Sequence, residues 1–168
     1  MILRFFRSVL IVIMLLYFYS SSLLTIQDDQ FTNTIDTFRQ EIYMLTGNEK
    51  ALTIPIYLVP LTAKSTAGVC YSSWISPFDY IEINSFHYYD MRNNLQFEWV
   101  ILHELAHCII DAQHISGTVK LDGIDCPSSI MNPYVPSSIK LHLCYKKRKS
   151  LYKTALKKKV SIDFLEHM

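Results

Sequence analysis

The stretch of sequence that decides the fold is HELAHCIIDAQH, residues 103–114. It lies within residues 95–111, where apolar side chains fall on nearly every side of a helix, a pattern typical of a buried helix. His103 and His107 stand at positions i and i+4, so they share one helical face and can bind one metal ion. Burying two imidazoles and Glu104 among apolar residues is costly unless they have partners. The stretch therefore predicts a metal site on a buried helix.

A catalytic zinc site needs a third protein ligand, and His114 is the leading candidate. In a straight helix His114 would lie about 16.5 Å beyond His103. That separation is too large, because each Zn–N bond is only about 2.0–2.1 Å long. We therefore predict that the helix ends near Asp111, the residue here that most readily adopts a left-handed conformation, and that the chain folds back. Asp111 itself, or a later Asp, Glu or Cys, is the alternative third ligand.

These residues, together with the downstream sequence SIMNP (residues 129–133), resemble the metzincin clan of zinc metallopeptidases, and most nearly its matrixin-like members. The clan combines H-E-x-x-H-x-x-G-x-x-H with a later Met-turn, and Met131 stands where that methionine is expected. Here the third histidine comes one residue later, and Ile110 occupies the position of the clan's glycine. The resemblance implies an α+β, zincin-like (metzincin-type) domain, in which a small twisted sheet lies over a buried active-site helix and a C-terminal helix follows.

The resemblance also implies an activity, that of an exported zinc-dependent endopeptidase. One Zn²⁺ would be held by His103, His107 and His114. Its bound water, with a pKa lowered to about 7, would attack the peptide carbonyl while Glu104 acts as the general base. The partner would be a peptide or protein substrate.

Other positions acquire expected roles from the same resemblance. Met131 would lie in the Met-turn beneath the metal. Pro133 and Tyr134 would belong to one wall of the substrate pocket, formed by residues 132–138. The substrate would lie extended along the edge strand predicted at residues 68–74, pairing with it through backbone hydrogen bonds.

Two alternative functions remain open. A gluzincin-like hydrolase would take its third ligand from a later Asp or Glu instead of His114. A membrane-tethered or secreted binding domain would keep the zincin scaffold without catalysis. The intact Glu104 favours an enzyme, because a non-catalytic scaffold has no need of a general base.

The N-terminus predicts export. Arg4 and Arg7 precede an uncharged run, residues 8–27, that ends in small residues. This is the form of a signal peptide over residues 1–22, and the run is also nearly long enough for a signal-anchor. Residues 23–168 would then form a single secreted or extracytoplasmic domain, either free or anchored through that segment. Nucleic acid is not an expected partner outside the cytoplasm.

Charge is unevenly distributed in this domain. Residues 23–139 carry five Lys or Arg against thirteen Asp or Glu, whereas residues 140–168 carry nine against two. Membrane association is expected either through residues 8–26 or through this basic tail.

Periodicity and turn residues give an outline of the elements. Asn93 and Gln96 form a predicted capping box ahead of the buried helix. The other predictions are a helix over residues 31–45 stopped by Gly47, strands at 52–59, 68–74 and 80–84, a loop at 115–134 and a basic helix from about residue 138 to 164.

The sequence has four cysteines, Cys70, Cys108, Cys126 and Cys144. In an exported domain they can form two disulfides, for which three pairings are possible; zinc ligation is the competing interpretation. Residues 122–125, DGID, could hold Ca²⁺, although a polar turn is the favoured interpretation.

Overall fold

The structure is a computed structural model that describes residues 29–63, 65–72, 79–91 and 95–159. It is a mixed α+β arrangement with a three-stranded sheet and a two-stranded sheet. The predicted signal segment, the capping residue Asn93 and the end of the second predicted strand at Trp74 lie outside the described residues. No helix within the described ranges is long and apolar enough to cross a membrane.

The first helix, α1 (Asp29–Thr46), confirms the periodicity of residues 31–45. Phe31, Ile35 and Ile42 are buried on one face, and the chain leaves the helix at Gly47 with a φ of 70°. A positive φ at this point costs glycine little, so Gly47 stops the helix as predicted.

The strand predicted over residues 52–59 begins four residues before the observed strand. A short helix, α2 (Lys50–Thr53), occupies the first positions, and strand β1 covers only Ile56–Val59. The side chain of Asn48 accepts a hydrogen bond from the Lys50 amide at 3.0 Å, which supports the first turn of α2. Pro55 then disfavours a helical conformation at the residue before it, so the extended chain begins only there.

Strand β3 (Tyr80–Asn84) is the centre of the main sheet, between β1 and β2 (Gly68–Tyr71). It pairs with β1 in parallel and with β2 in antiparallel orientation. Both β1 and β2 are therefore edges, in agreement with the proline just before β1. The inner face of β3 buries Ile81 and Ile83, and a short helix, α3 (Ser85–Met91), follows.

The predicted buried helix is α4 (Leu95–Ile110), which packs on the inner face of the sheet along β2 and β3. Twelve of its sixteen residues are buried, among them Trp99, Leu102 and Leu105. Helix α1 packs against it as well. The side chain of Gln96 donates to the Pro136 carbonyl at 3.1 Å and links the start of α4 to the region after the SIMNP sequence.

The prediction of an irregular loop over residues 115–134 is wrong in its middle part. Strands β4 (Thr118–Leu121) and β5 (Ile124–Pro127) form an antiparallel hairpin with Leu121 opposite Ile124. The two turn residues, Asp122 and Gly123, have φ of 52° and 79°. Asp-Gly is the dipeptide that favours such a two-residue turn, so the signal was present in the sequence.

The predicted basic helix is helical in four successive pieces from residue 138 to 158. These are α5 (Ser138–Lys140), a π-helical turn (Leu141–Tyr145), a 3-10 turn (Lys146–Arg148) and α6 (Lys149–Lys158). Tyr145 and Tyr152 pack their ring edges against Trp99 of α4. The segment ends at Lys159 with a φ of 56°, and the predicted continuation to residue 164 lies outside the described residues.

A polar cluster joins this segment to α4. The Tyr145 hydroxyl donates to Glu98 at 2.6 Å, and Lys149 pairs with the other oxygen of the same carboxylate at 2.6 Å. Lys153 lies 3.5 Å from Glu98 and also pairs with Glu41 of α1. Burial, with Glu98 beside it, holds the pKa of Tyr145 well above its ordinary value. Glu98 and Lys153 together thus connect α1, α4 and α6.

All four cysteines form disulfides, Cys70 with Cys108 and Cys126 with Cys144. The first connects β2 to α4, and the second connects β5 to the π-helical turn. This settles the pairing that the sequence left open. It also excludes the cysteines as zinc ligands in this structure.

Candidate metal centre

Helix α4 ends at Ile110, and Asp111 has a left-handed conformation with a φ of 50°. The predicted reversal therefore occurs at the predicted residue. The Ala112 amide donates to the Ala106 carbonyl at 3.2 Å, which closes the end of the helix. The chain then turns back along α4, and His114 comes to lie beside the two helical histidines.

The three histidines present their Nε2 atoms to one point. The distance from His103 to His107 is 3.1 Å, from His103 to His114 is 3.2 Å, and from His107 to His114 is 3.1 Å. His103 is buried, His107 is half-buried and His114 is exposed, so the point lies at the edge of the solvent. These three residues are positioned to bind a metal ion.

Hydrogen bonds on the other ring nitrogen fix two of the imidazoles. Nδ1 of His103 lies 2.8 Å from the Ile130 carbonyl, and Nδ1 of His107 lies 2.7 Å from the Ala112 carbonyl. A carbonyl oxygen only accepts, so each Nδ1 carries the hydrogen and each Nε2 presents a lone pair. Two lone pairs 3.1 Å apart cannot hydrogen-bond to each other; a shared cation satisfies both.

The spacing of these nitrogens fits a tetrahedral zinc ion. Two nitrogens bound at about 2.0–2.1 Å with a tetrahedral angle lie about 3.3–3.4 Å apart. The observed separations of 3.1–3.2 Å are close to that value. Three nitrogen ligands leave one tetrahedral position for water or substrate, as in catalytic zinc sites.

Burial favours the neutral form of His103 and His107, which is the form that binds a metal. It lowers the pKa of His103 to about 4, and it lowers the pKa of His107 below its ordinary value. The carbonyl partners of the two rings oppose this effect, because they favour the protonated imidazole. Protons therefore compete weakly for these nitrogens at neutral pH.

Glu104 lies between the helix and strand β2. Burial raises the pKa of its carboxyl to about 7, against a hydrogen bond from the Cys70 backbone that lowers it. The disulfide between Cys70 and Cys108 connects the same strand to the same helix. The carboxylate is thus held by the strand that borders the cleft, and its raised pKa suits a group that takes and returns a proton near neutral pH.

Gly68 makes this position of Glu104 possible. A Cβ at residue 68 would lie 2.8 Å from Cγ and 3.2 Å from Cδ of Glu104, and 3.1 Å from Cδ1 of Ile83. The sequence placed Gly68 only at the start of a predicted edge strand and gave no sign of this contact. The contact depends on the distance between a strand and a helix far apart in sequence, which no local pattern records.

Met131 lies in a tight turn, as expected from the SIMNP sequence. The Asn132 amide donates to the Ser129 carbonyl at 3.2 Å, and Met131 is fully buried. The turn contacts the histidine region twice. It supplies the Ile130 carbonyl to His103, and the Met131 carbonyl accepts from the Ile115 amide at 2.9 Å. The turn therefore holds both the helix and the returning chain.

A cleft of about 710 Å³ opens beside the three histidines. One side is strand β2 with the residues before it, and the other is the segment after the Met131 turn. Pro133 and Tyr134 line this second side, where they were expected, although Tyr134 is 80% exposed. Glu104 and the three histidines lie in the same cleft.

The alternative ligand Asp111 and the candidate calcium stretch are not part of the histidine cluster. Asp111 lines the cleft, but the three-ligand cluster in the described part of the chain consists of histidines alone. In the candidate calcium stretch, Asp122 belongs to the hairpin turn and pairs with Arg148 at 2.6 Å. The favoured interpretation of that stretch as a turn is confirmed.

In comparisons with known proteins, no family model, no curated protein and no solved structure matched this chain. The function is therefore argued from the site itself.

Proposed function

We propose that the chain is an exported zinc-dependent endopeptidase with a zincin fold of the metzincin type. The observation that carries the proposal is the convergence of three imidazole Nε2 atoms beside a buried glutamate in an open cleft. Three histidines with one open position are a ligand set of catalytic zinc sites. Two of the imidazoles are oriented by backbone carbonyls, as metal ligands usually are.

The residues would divide the reaction between them. His103, His107 and His114 would hold Zn²⁺, which when bound polarises a carbonyl and lowers the pKa of water to about 7. Glu104 would take a proton from the attacking water at its carboxylate and pass it to the leaving nitrogen. The Cys70 amide keeps that carboxylate beside β2, where a peptide would lie.

The substrate would be an extended peptide. Strand β2 is an edge of the sheet and lines the cleft, so its unpaired side could add one strand by backbone hydrogen bonds. Pro133 and Tyr134 would form the opposite wall. Such binding recognises the backbone first and is typical of an endopeptidase.

The two disulfides support export, because disulfides persist in oxidising compartments and are rare in the cytosol. The N-terminal signal or anchor predicted over residues 1–22 agrees with this location.

The first experiment measures the zinc content of the purified chain and its hydrolysis of a mixed peptide library. We expect about one zinc per chain and cleavage that chelation abolishes. His114→Ala should lose most of the metal. Glu104→Gln should keep the metal and lose at least about 10²-fold in activity, the usual contribution of a general base. His142→Ala, an exposed histidine outside the cleft, is the matched control.

Each alternative has its own outcome. Zinc retained by His114→Ala would favour a gluzincin-like site with a later ligand. If the wild type and Glu104→Gln both bind zinc and neither hydrolyses peptides, the non-catalytic binding domain would be favoured. A folded chain that holds no zinc would contradict the proposal.

A further inference from the structure

The surface after the Met131 turn is unusually apolar for an exposed region. Nine large hydrophobic side chains are exposed in the described residues, and four of them lie between positions 134 and 143. Tyr134 is 80% exposed, Ile139 is 73% exposed, and Val135 and Leu143 are each 38% exposed. Exposed apolar side chains grouped in this way mark an interaction surface.

The helical segment presents these residues on one outer face. Ile139 and Leu143 are four residues apart and exposed, whereas Leu141, Cys144 and Tyr145 are buried against the core. Residues at this spacing lie one above the other on a helix. The apolar pair therefore faces solvent although the other side of the same segment is packed.

Lysines flank the apolar pair. Lys140, Lys146 and Lys147 are exposed, and none forms a salt bridge with a described carboxylate. We call these three lysines with Tyr134, Val135, Ile139 and Leu143 the rim patch.

The inward cations of the same segment are different, because each has an acidic partner. Arg148 pairs with Asp122, Lys149 with Glu98, and Lys153 with Glu41. No acidic residue occurs between residues 126 and 159 of the sequence. Within the described residues, the three outward lysines therefore have no carboxylate that balances their charge.

We propose that the rim patch binds the surface of an anionic lipid bilayer. Exposed apolar side chains flanked by lysines are what an interfacial segment offers to the headgroup region. An anionic surface complements the three lysines, and each lysine near it raises the affinity about fivefold. The acidic remainder of the domain would face away from the bilayer.

The rim patch overlaps the wall of the cleft. Tyr134 and Val135 belong both to the rim patch and to the wall of the cleft. A bilayer bound there would lie next to the cleft opening. Provided that the proposed peptidase function holds, the substrates would be peptide segments that lie at a membrane surface.

The test places a reporter in the patch of the full chain. Tyr134→Trp is incubated with phosphatidylcholine vesicles, alone or mixed with phosphatidylglycerol, whose acyl chains are brominated or unbrominated. Bromine quenches only indoles that enter the acyl region. The native Trp74 and Trp99 contribute to every spectrum, so the quenching seen for the wild-type chain is subtracted and the remainder reports on the introduced tryptophan. Met44→Trp, at an exposed position on α1, is the control.

We expect brominated anionic vesicles to quench Tyr134→Trp but not Met44→Trp, and high salt to weaken the quenching. Replacing the three lysines with Gln should lower the vesicle affinity of the patch by about 100-fold. Ile139→Ser with Leu143→Ser should remove the quenching. Equal quenching at both positions, or none at Tyr134→Trp, would overturn the proposal, as would equal quenching on neutral vesicles. If the rim patch instead binds an acidic protein, the vesicles will not quench Tyr134→Trp. None of these measurements depends on peptide hydrolysis, so they test the rim patch separately from the proposed function.

Discussion

If the proposed peptidase function holds, Gly68→Ala should lower the rate of peptide hydrolysis and leave zinc binding intact. An added Cβ would lie 2.8 Å from Cγ of Glu104. Carbon atoms at optimal contact are about 3.5–4.0 Å apart, so the glutamate side chain must move by about 1 Å. The same Cβ would lie 3.1 Å from Cδ1 of Ile83, so a second side chain is crowded at this position.

A misplacement of about 1 Å in a reacting group can cost about 10²-fold in rate. We therefore expect kcat to fall about 100-fold, which corresponds to about 2.7 kcal/mol of activation free energy. The three heavy atoms nearest to the new methyl group belong to Glu104 and Ile83 and not to a histidine, so zinc content should stay at that of the wild type. Gly68 does not have a positive φ, so alanine can adopt its backbone conformation. The crowding of Glu104 and Ile83 should nevertheless lower the free energy of unfolding by about 1–3 kcal/mol.

The assay compares peptide hydrolysis, zinc content and thermal unfolding of Gly68→Ala with those of Tyr71→Ala. Tyr71 is on the same strand, one residue beyond Cys70, and its side chain points away from α4 because side chains alternate along a strand. Tyr71→Ala should keep most of the activity. A Gly68→Ala enzyme with wild-type kcat and wild-type metal content would refute the argument, because it would show that the position of Glu104 is not set by the strand.

Three further predictions follow from contacts around the site. Replacing Cys70 and Cys108 with Ser should lower the free energy of unfolding by about 4 kcal/mol, the loop-closure value for a separation of 38 residues, as measured by denaturant unfolding. Asp111→Val should destabilise the chain by about 1–2 kcal/mol and weaken zinc binding in a chelator competition, because it forces a branched side chain into a left-handed conformation. Asp111→Gly should change neither the stability nor the zinc affinity, because glycine adopts that conformation readily. Glu98→Gln should cost about 2 kcal/mol in thermal unfolding, because it breaks the ion pair with Lys149. Zinc content should stay unchanged, because Glu98 does not line the cleft; an unchanged melting temperature would contradict this prediction.

The sequence predicted best where one local pattern was enough. The spacing of Phe31, Ile35 and Ile42 fixes the buried face of α1, because a helix places such residues on one side. The run through residues 95–110 predicts α4 for the same reason. The reversal at Asp111 followed from a distance limit, since one ion cannot bind nitrogens many ångströms apart.

Prediction failed where structure depends on partners far along the chain. The pairing of Cys70 with Cys108 needs the distance between β2 and α4, and spacing alone cannot choose among three pairings. The contact of Gly68 with Glu104 needs the same distance. The hairpin at residues 118–127 was missed for another reason, because its Asp-Gly dipeptide was interpreted as a polar turn without a strand on either side.

The local structure also explains how the reversal forms without the glycine of the metzincin pattern. The amide of Ala112 closes the helix on the Ala106 carbonyl, and the carbonyl of Ala112 orients the His107 ring through Nδ1. One residue thus ends the helix and positions a ligand. Asp111 can adopt the left-handed conformation that leads into it, at a cost that the two hydrogen bonds of Ala112 offset. With one more residue before His114 than in the clan pattern, the returning chain still reaches the other two imidazoles. The longer spacing and the absent glycine are therefore compatible with the same ligand arrangement.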